Sequence, residues 1–371
     1  MRSLALTLRS LQAPRSTPNL GWAVAAVASL ALLAPVGAHA AKVKAPPAEP
    51  LVIEQGGKHG VADRSGKLLL APTYAWIGEF VGGVAPFEVK EGAESRFGLL
   101  NRKGKVALKP TFEGLREFAD GKAAVRIGGL WGFLNGAGKQ VIPPKFQRVL
   151  QFSEDRAAAE VVQDKWVFID PAGATAFELA EYETGELERF SEGVVVVLPL
   201  KQGNARLLDK AGKLVCEAPS RTVKSFSDGL AAFRSDDGRW GFLDHACKVV
   251  IPPTFAFTAG FRDGLAPTEQ DGRWGFVDKT GKWAVEPIFG EIDALSEGLA
   301  RVRVGTLYGY CDSAGRTVIA PIYDDAQHVG TRFRNGVALV GKEIDGRLER
   351  GWIDKTGAVV WAPWPPPKKE E

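Results

Sequence analysis

From residue 51 to residue 361 the chain alternates short apolar runs with polar turns, and no apolar stretch there is long enough for a helix of ordinary length. Within W-G-F-V-D at Trp274 to Asp278 and its weaker copies, side chains alternate in the strand manner. A turn such as D-K-T-G-K follows, where Asp can bond its own downstream backbone and Gly supplies positive φ. A second run, such as V-V-I at Val249 to Ile251, reaches proline at Pro72, Pro110, Pro144, Pro253, Pro287 and Pro321, each two residues before an aromatic. Proline cannot donate to a ladder, so it is expected to mark a strand end. Then comes an acid-glycine turn, as in F-S-D-G-L-A-A-F from Phe226 to Phe233, and a further strand. The pattern predicts an all-β fold of tandem three- or four-stranded antiparallel meanders.

The unit recurs down the chain. Its copies are HGVAD at His59, FGLLN at Phe97, WGFLN at Trp131, WVFID at Trp166, ARLLD at Ala205, WGFLD at Trp240, WGFVD at Trp274, YGYCD at Tyr308 and GWIDK at Gly351. The glycine positions are 34 to 42 residues apart, giving about nine copies over 51–361. DGRWGF occurs twice, at Asp237 and Asp271. It is therefore the least diverged imprint of a building unit.

The motif [KR]-W-G-[FY]-[IVL]-[DN]-x-x-G-K-x-V-I-x-P-x-[FY], followed by F-x-[ED]-G-[LV]-A, is fullest at Arg239 to Phe255 and Arg273 to Phe289. It resembles that of the WG-repeat (KWG-repeat) family of bacterial repeat proteins, from Leu51 to Trp361. The resemblance implies a binding or scaffolding role and names no activity. Its repeat positions here are Trp131, Gly132, Trp240, Gly241, Trp274, Gly275, Tyr308 and Gly309. Two copies depart from it: Val167 and Arg206 replace the glycine, and the fourth copy lacks the proline.

Trp240 and Phe242 share one strand face while Gly241 and Leu243 share the other, so both faces suit burial between layers. Glycine in a strand marks close approach by another group. An aromatic ring from the adjacent repeat is the expected neighbour, which makes the tryptophans core rather than a sugar-stacking ladder. Trp76, Trp283, Trp361 and Trp364 lie off the consensus position and are the better candidates for exposed use. Since the first copy begins at L-V-I, at the strand before W-G, no C-terminal strand is left to complete it. Nine units of about 34 residues also exceed the usual 4 to 8 propeller blades. An open curved or superhelical array is therefore expected, with a closed β-propeller as the alternative.

Residues 1–40 read as a secretory signal: Arg2, Arg9 and Arg15 without an acid, an apolar run from Leu20 to Gly37, then Ala38-His39-Ala40. Cleavage after Ala40 would leave a proline-rich linker at 41–50, the array, and a proline-rich charged tail at 362–371. Removing the three arginines leaves 44 Lys+Arg against 44 Asp+Glu, so the formal charge falls from +3 to zero. The mature chain then offers no electrostatic case for nucleic acid, and no transmembrane segment. Periplasmic or extracellular location is the expectation.

Catalytic constellations are missing from the sequence. His59, His245 and His328 have no metal-ligand spacing, and nucleophile elbows, phosphate loops and dinucleotide fingerprints do not occur. No catalytic, cofactor-binding or metal residues are assigned, and no cofactor is expected. Cys216, Cys247 and Cys311 allow one disulfide at most. Cys247, in a turn position that is glycine in most copies, is expected to be exposed, as a redox or intermolecular handle; Cys216 and Cys311 fall in strands and are expected to be buried. The most irregular stretch, Phe177 to Phe190, carries Glu178, Glu181, Glu183, Glu186 and Glu188 as candidate binding residues, either a ligand loop or a solvated remnant. The functional expectation is an exported binding or scaffolding module of the bacterial cell envelope, not an enzyme, with protein or cell-wall glycan as partner. A glycan-active hydrolase and a purely structural spacer are the alternatives, and oligomeric state stays open.

Overall fold

Each repeat carries two turns whose chemistry the sequence spells out, one after the W-G-F strand and one before the strand that precedes it. At Asp278 the carboxylate accepts the N–H groups of Thr280 (2.8 Å) and Lys282 (3.2 Å), while Gly281 sits at φ 83°. The same Asx turn recurs at Asp63, Asn101, Asn135, Asp170, Asp209, Asp244, Asp312 and Asp354. The acid-glycine turn has positive φ at both central residues, 53° at Asp228 and 84° at Gly229, and Ser227 and Leu230 exchange N–H···O bonds across it. That is the I′ hairpin that matches strand twist.

The computed structural model describes residues 48–182, 187–324 and 331–363, the side chain of Glu91 excepted. The proposed signal segment, the linker up to residue 47, Glu183, Glu186, His328 and the tail from Trp364 lie outside them. The described residues fall in one unit, Pro47–Glu371. Their regular elements are all strands, and no helix among them is long and apolar enough to cross a membrane.

Among the described residues the strands form nine antiparallel sheets in chain order, blades 1 to 9, spanning 51–74, 76–112, 114–146, 148–178, 194–217, 222–255, 257–289, 291–323 and 337–361. Six are four-stranded, and blades 1, 5 and 9 are three-stranded. In blade 6 the order is Thr222–Val223, Ala231–Arg234, Trp240–Leu243 and Val249–Phe255, each paired with its sequence neighbour. The W-G-F strand is buried along its whole length, as alternation with bare or apolar faces demands.

Neighbouring blades are joined by three recurring contacts. The aromatic two after Trp packs on the aromatic of the next blade's F-x-[ED]-G: Phe133 on Phe152 (4.8 Å between centroids), Phe168 on Phe190 (5.0 Å), Phe242 on Phe261 (4.6 Å) and Tyr310 on Phe333 (4.9 Å). The Asx-turn glycine rests on the preceding blade's last strand, so that a Cβ on Gly281 would stand 2.9 Å from Ile251 and one on Gly315 2.7 Å from Val285. The acid of each hairpin turn accepts N–H from the next turn: Gly193 to Glu154 (2.8 Å), Gly229 to Glu192 (3.0 Å), Gly264 to Asp228 (2.8 Å) and Gly336 to Glu297 (2.9 Å).

The array is closed, a nine-bladed β-propeller, which corrects the open-array expectation. Leu51, Ile53 and Ala62 of blade 1 share one core with Val337 of blade 9, flanked by Trp352, Val360 and Trp361. Gly66 of blade 1 abuts the Val360 carbonyl, so the seam repeats the glycine contact of the other interfaces. Arg350 pairs with Glu54 (3.1 Å), and the Trp352 indole N–H donates to the Val52 carbonyl (2.7 Å). Closure needed no shared strand because blades are joined face to face by side chains. Counting strand donors therefore tested the wrong requirement.

Two further expectations are corrected. The repeat glycine is not covered by a ring from the next repeat. Trp240 pairs with Phe255 and Phe242 with Ile251, so Gly241 alone faces the three residues Pro252 to Thr254 of a wide bulge. A Cβ on Gly241 would lie 2.5 Å from the Ile251 carbonyl oxygen and 2.7 Å from the Pro253 nitrogen, and Gly132, Gly275 and Gly309 meet the same strand backbone. The prolines, in turn, do not end the last strand but sit inside it, at the bulge where no ladder donor is required.

Candidate functional site

The residues that follow the short first strands of successive blades come together to line a cavity. In this repeat the positions between the first strand and the buried aromatic are Arg116-Glu117 in blade 3, Leu150-Gln151 in blade 4 and Glu188-Arg189 ahead of blade 5. With Trp76 they border a cavity of about 520 Å³ contributed by four consecutive repeats. Hydrogen bonds run from one repeat to the next around it. Arg116 donates to the Val149 carbonyl (2.7 Å), Gln151 to the Glu117 carbonyl (3.2 Å), Arg189 to the Gln151 side chain (3.1 Å) and Ser225 to Glu188 (3.0 Å). A wall of both charges on a rigid rim can grip a ligand that offers both donors and acceptors.

Burial, and secondarily the nearby Glu79, holds the Glu117 carboxyl above its ordinary range, while burial alone lowers the Arg116 guanidinium. Glu79 is close because its backbone N–H reaches the Glu117 carboxylate at 3.5 Å and its own carboxylate pairs with Arg334 at 2.8 Å. Two acids from adjacent repeats thus converge beside the cavity, although the sequence places them 38 residues apart.

The repeat tryptophans are not in this cavity. Trp240 is buried with Lys224 over its ring at 4.4 Å, Trp131 lies under Arg116 at 4.8 Å and Tyr308 under Arg301 at 5.0 Å. Trp274 is half-buried, packed in the blade 7–8 core and 5.7 Å from Phe257. Of the off-consensus tryptophans, Trp76 lines the cavity, Trp361 lines an adjoining slot and Trp283 packs edge-on against Phe255 at 5.9 Å. The described glutamates of the irregular stretch are dispersed: Glu178 pairs with Lys165 at 3.0 Å on an edge strand, the Glu181 carbonyl accepts from Leu200, and Glu188 is the one of the three that reaches the cavity.

Cys247 is not an exposed handle: it is bonded to Cys216, 31 residues earlier, with Cα atoms 6.0 Å apart. Cys216 pairs with Leu207 as Ile251 pairs with Phe242, and Cys247 holds the turn-glycine position at φ 59°. The disulfide therefore replaces, between blades 5 and 6, the aliphatic-on-glycine contact found between blades 6 and 7. Cys311 is buried, its thiol pushed up to about 12 by desolvation.

Trp76 and Glu188 were among the candidates, but sequence reasoning missed Arg116, Glu117, Gln151 and Arg189 because they occupy the two variable positions before the repeat aromatic. Polar variability at fixed repeat positions was the available signal. Matching Cys216 and Cys247 to the Ile251 and Gly281 positions would likewise have paired them.

Among solved structures, the chain is similar to a eukaryotic initiation factor with a TM-score of 0.57 at 10% identity, covering 85% of this chain and 96% of that one. A looser likeness is to BamB from Moraxella catarrhalis, with a TM-score of 0.36 at 12% identity over 71% of this chain and 94% of that one. Only the first is close enough to bear on the fold, and at that identity it bears on nothing else. No curated protein sequence matches the chain significantly. The model of the WG containing repeat matches residues 60–92, 97–131, 131–166, 240–274, 274–306 and 308–343, more than half of the 371 residues, passing over the two copies that lack the glycine and the last copy. With its bulged W-G strands repeated around the ring, the chain belongs to the family of proteins built from WG-containing repeats.

Proposed function

We propose that this protein is an exported, non-enzymatic binding module of the bacterial cell envelope that takes a protein ligand at this cavity. The observation that carries this reading is the wall formed by Trp76, Arg116, Glu117, Gln151, Glu188 and Arg189, drawn from four repeats onto one rigid rim. A mixed-charge wall with one aromatic and three leucines, Leu115, Leu150 and Leu187, suits a polypeptide, which presents backbone donors and acceptors beside charged and apolar side chains. Export is supported by the N-terminal signal pattern and by the Cys216–Cys247 bond, since structural disulfides persist in oxidising compartments. A photocrosslinking residue at Gln151 should capture a defined envelope protein in living cells, and the same residue at Val162, exposed where a hairpin of blade 4 turns, should not. Equal capture from both sites would remove the cavity from the reading. Fractionation and N-terminal sequencing test export, the expected product beginning at Ala41.

One observation favours a second reading, glycan hydrolysis: the neighbouring acids Glu79 and Glu117, of which Glu117 is held toward its protonated form. Release of reducing ends from cell-wall glycan, abolished by Glu117→Gln, would replace the first reading with this one.

A further inference from the structure

Among the described residues, four interfaces hold a carboxylate between the same two groups of the following blade. One is a backbone N–H ahead of that blade's second strand: Gly83 donates to Glu49 (2.9 Å), Gly193 to Glu154 (2.8 Å), Gly229 to Glu192 (3.0 Å) and Gly336 to Glu297 (2.9 Å). The other is the side chain just past the Asx residue of its W-G turn. Arg102 lies 2.8 Å from Glu49, Lys210 3.4 Å from Glu154, His245 3.3 Å from Glu192 and Lys355 3.3 Å from Glu297.

The seam between blades 9 and 1 breaks this pattern. Arg64 follows Asp63 and so holds the cation's position in blade 1, but the blade 9 turn carries Asn335 and Gly336, at φ 51° and 82°, an amide where Glu154, Glu192 and Glu297 are acids. Arg64 donates from Nε to the Glu49 carbonyl (2.7 Å), while its Nη1 is buried with no hydrogen-bond partner. A buried donor left unmatched is costly, more so on a charged group. Burial lowers the Arg64 guanidinium, opposed by the fields of Glu297 and Glu49. Both acids are already engaged, Glu297 by Lys355 and Gly336, and Glu49 by Arg102 and Gly83. Beside Arg64 lies a cavity of about 80 Å³, bordered also by Arg332, Arg334, Asn335, Glu49 and Glu79. Glu79 is taken up by Arg334 at 2.8 Å, and Arg332 stands 3.7 Å from Asp293.

We infer that the seam cavity is a carboxylate-binding subsite, where an acid from outside the chain takes the place that a turn glutamate takes at other interfaces. The donors suit it: a guanidinium presents a planar fork to a carboxylate, and the Asn335 side chain adds an amide N–H₂. Asparagine keeps the positive φ that the turn requires without supplying the charge. Arg332 and Arg334 are exposed and draw an anion from solvent. A cavity this small admits the head group of a ligand and leaves the rest outside. It shares no lining residue with the larger cavity of blades 2 to 5, so the seam subsite stands whether or not that cavity takes a protein.

The test is a titration of the full chain with sodium acetate, ionic strength held constant with chloride, read at the Arg64 Nε–Hε resonance and assigned through Arg64→Lys. The resonance should shift saturably with acetate and stay in place with chloride alone. Asn335→Glu places the missing acid in the chain, as Glu297 stands in blade 8; it should move the resonance without acetate and weaken acetate binding about tenfold or more. Saturation unaltered by Asn335→Glu overturns the inference, as does a shift that never saturates. Two further probes separate the sources of the carboxylate. Triglycine with a free terminus binding more tightly than glucuronate identifies a peptide end, and the reverse order identifies an acidic sugar. Triglycine amide should not compete with acetate; equal competition by the amide, or inorganic phosphate binding more tightly than every carboxylate, rules out a carboxylate site.

Discussion

Blades 3 and 4 stand side by side and differ in one structural respect. In blade 3, Gly132 faces a wide bulge holding Pro143 and Pro144, with the Ile142 carbonyl 2.4 Å from where a Cβ would be. In blade 4 the same position is Val167, the proline is gone, and Val167 pairs directly with Glu178 without the bulge. Blade 5 repeats the lesson, with Arg206 opposite Glu217. Glycine and bulge are lost together because a side chain at that position and an inward-bowed neighbouring strand cannot occupy the same space. The interface contacts, by contrast, survive in both blades: Phe168 still packs on Phe190, and Glu154 still accepts from Gly193. The ring therefore tolerates erosion within a blade so long as the faces between blades are kept.

The largest effects should fall on those faces, and equally in regular and eroded blades. Phe261→Ala and Phe190→Ala should each cost about 3 to 5 kcal/mol in denaturant unfolding, as deletion of a buried aromatic does. A much smaller loss at Phe190 would mean that the eroded blades are also loosely joined. Next, Cys247→Gly converts the blade 5–6 contact to the ordinary turn-glycine form and should cost about 3.7 kcal/mol, the loop-closure value for a disulfide spanning 31 residues. The variant and the reduced wild type should then unfold alike. Third, Gly241→Val should cost about 1 to 3 kcal/mol by driving a side chain into the bulge, whereas Arg206→Val, at the same repeat position where no bulge exists and only a part-exposed pair with Glu217 is given up, should lose no more than about 1 kcal/mol. Equal losses would break the link between glycine and bulge.

The smallest effect concerns the cavity. Because the folded Glu117 carboxyl titrates above its ordinary range, the native state holds a proton there that the unfolded chain has already released. Stability should therefore fall as pH rises through the window between those two values, and Glu117→Gln should flatten that slope. An unchanged slope would show that Glu117 is solvated.

The repeat unit, its strand order and its turns were legible because each rests on local chemistry. Asp278 bonding its own downstream amides and Gly229 at positive φ need nothing from the rest of the chain. The neighbour of Gly241 was not legible, since period-two alternation says which face glycine is on but not whether a ring or a backbone approaches it. Nor was the cavity: Arg116, Gln151 and Arg189 are variable positions in a repeat, and variability does not say that three of them meet. Of the described glutamates in the irregular stretch, Glu178, Glu181 and Glu188, only Glu188 borders it.

The sequence by itself determined an all-β chain of about nine meanders, because alternation, turn residues and period are properties of neighbours along the chain. Only the tertiary structure decided that the array closes. Closure depends on whether the small rotation between packed faces accumulates to a full turn, and on Trp352 taking up the Val52 carbonyl where blade 1 has no first strand among the described residues. No single repeat contains that information. It arises when the ninth blade meets the first.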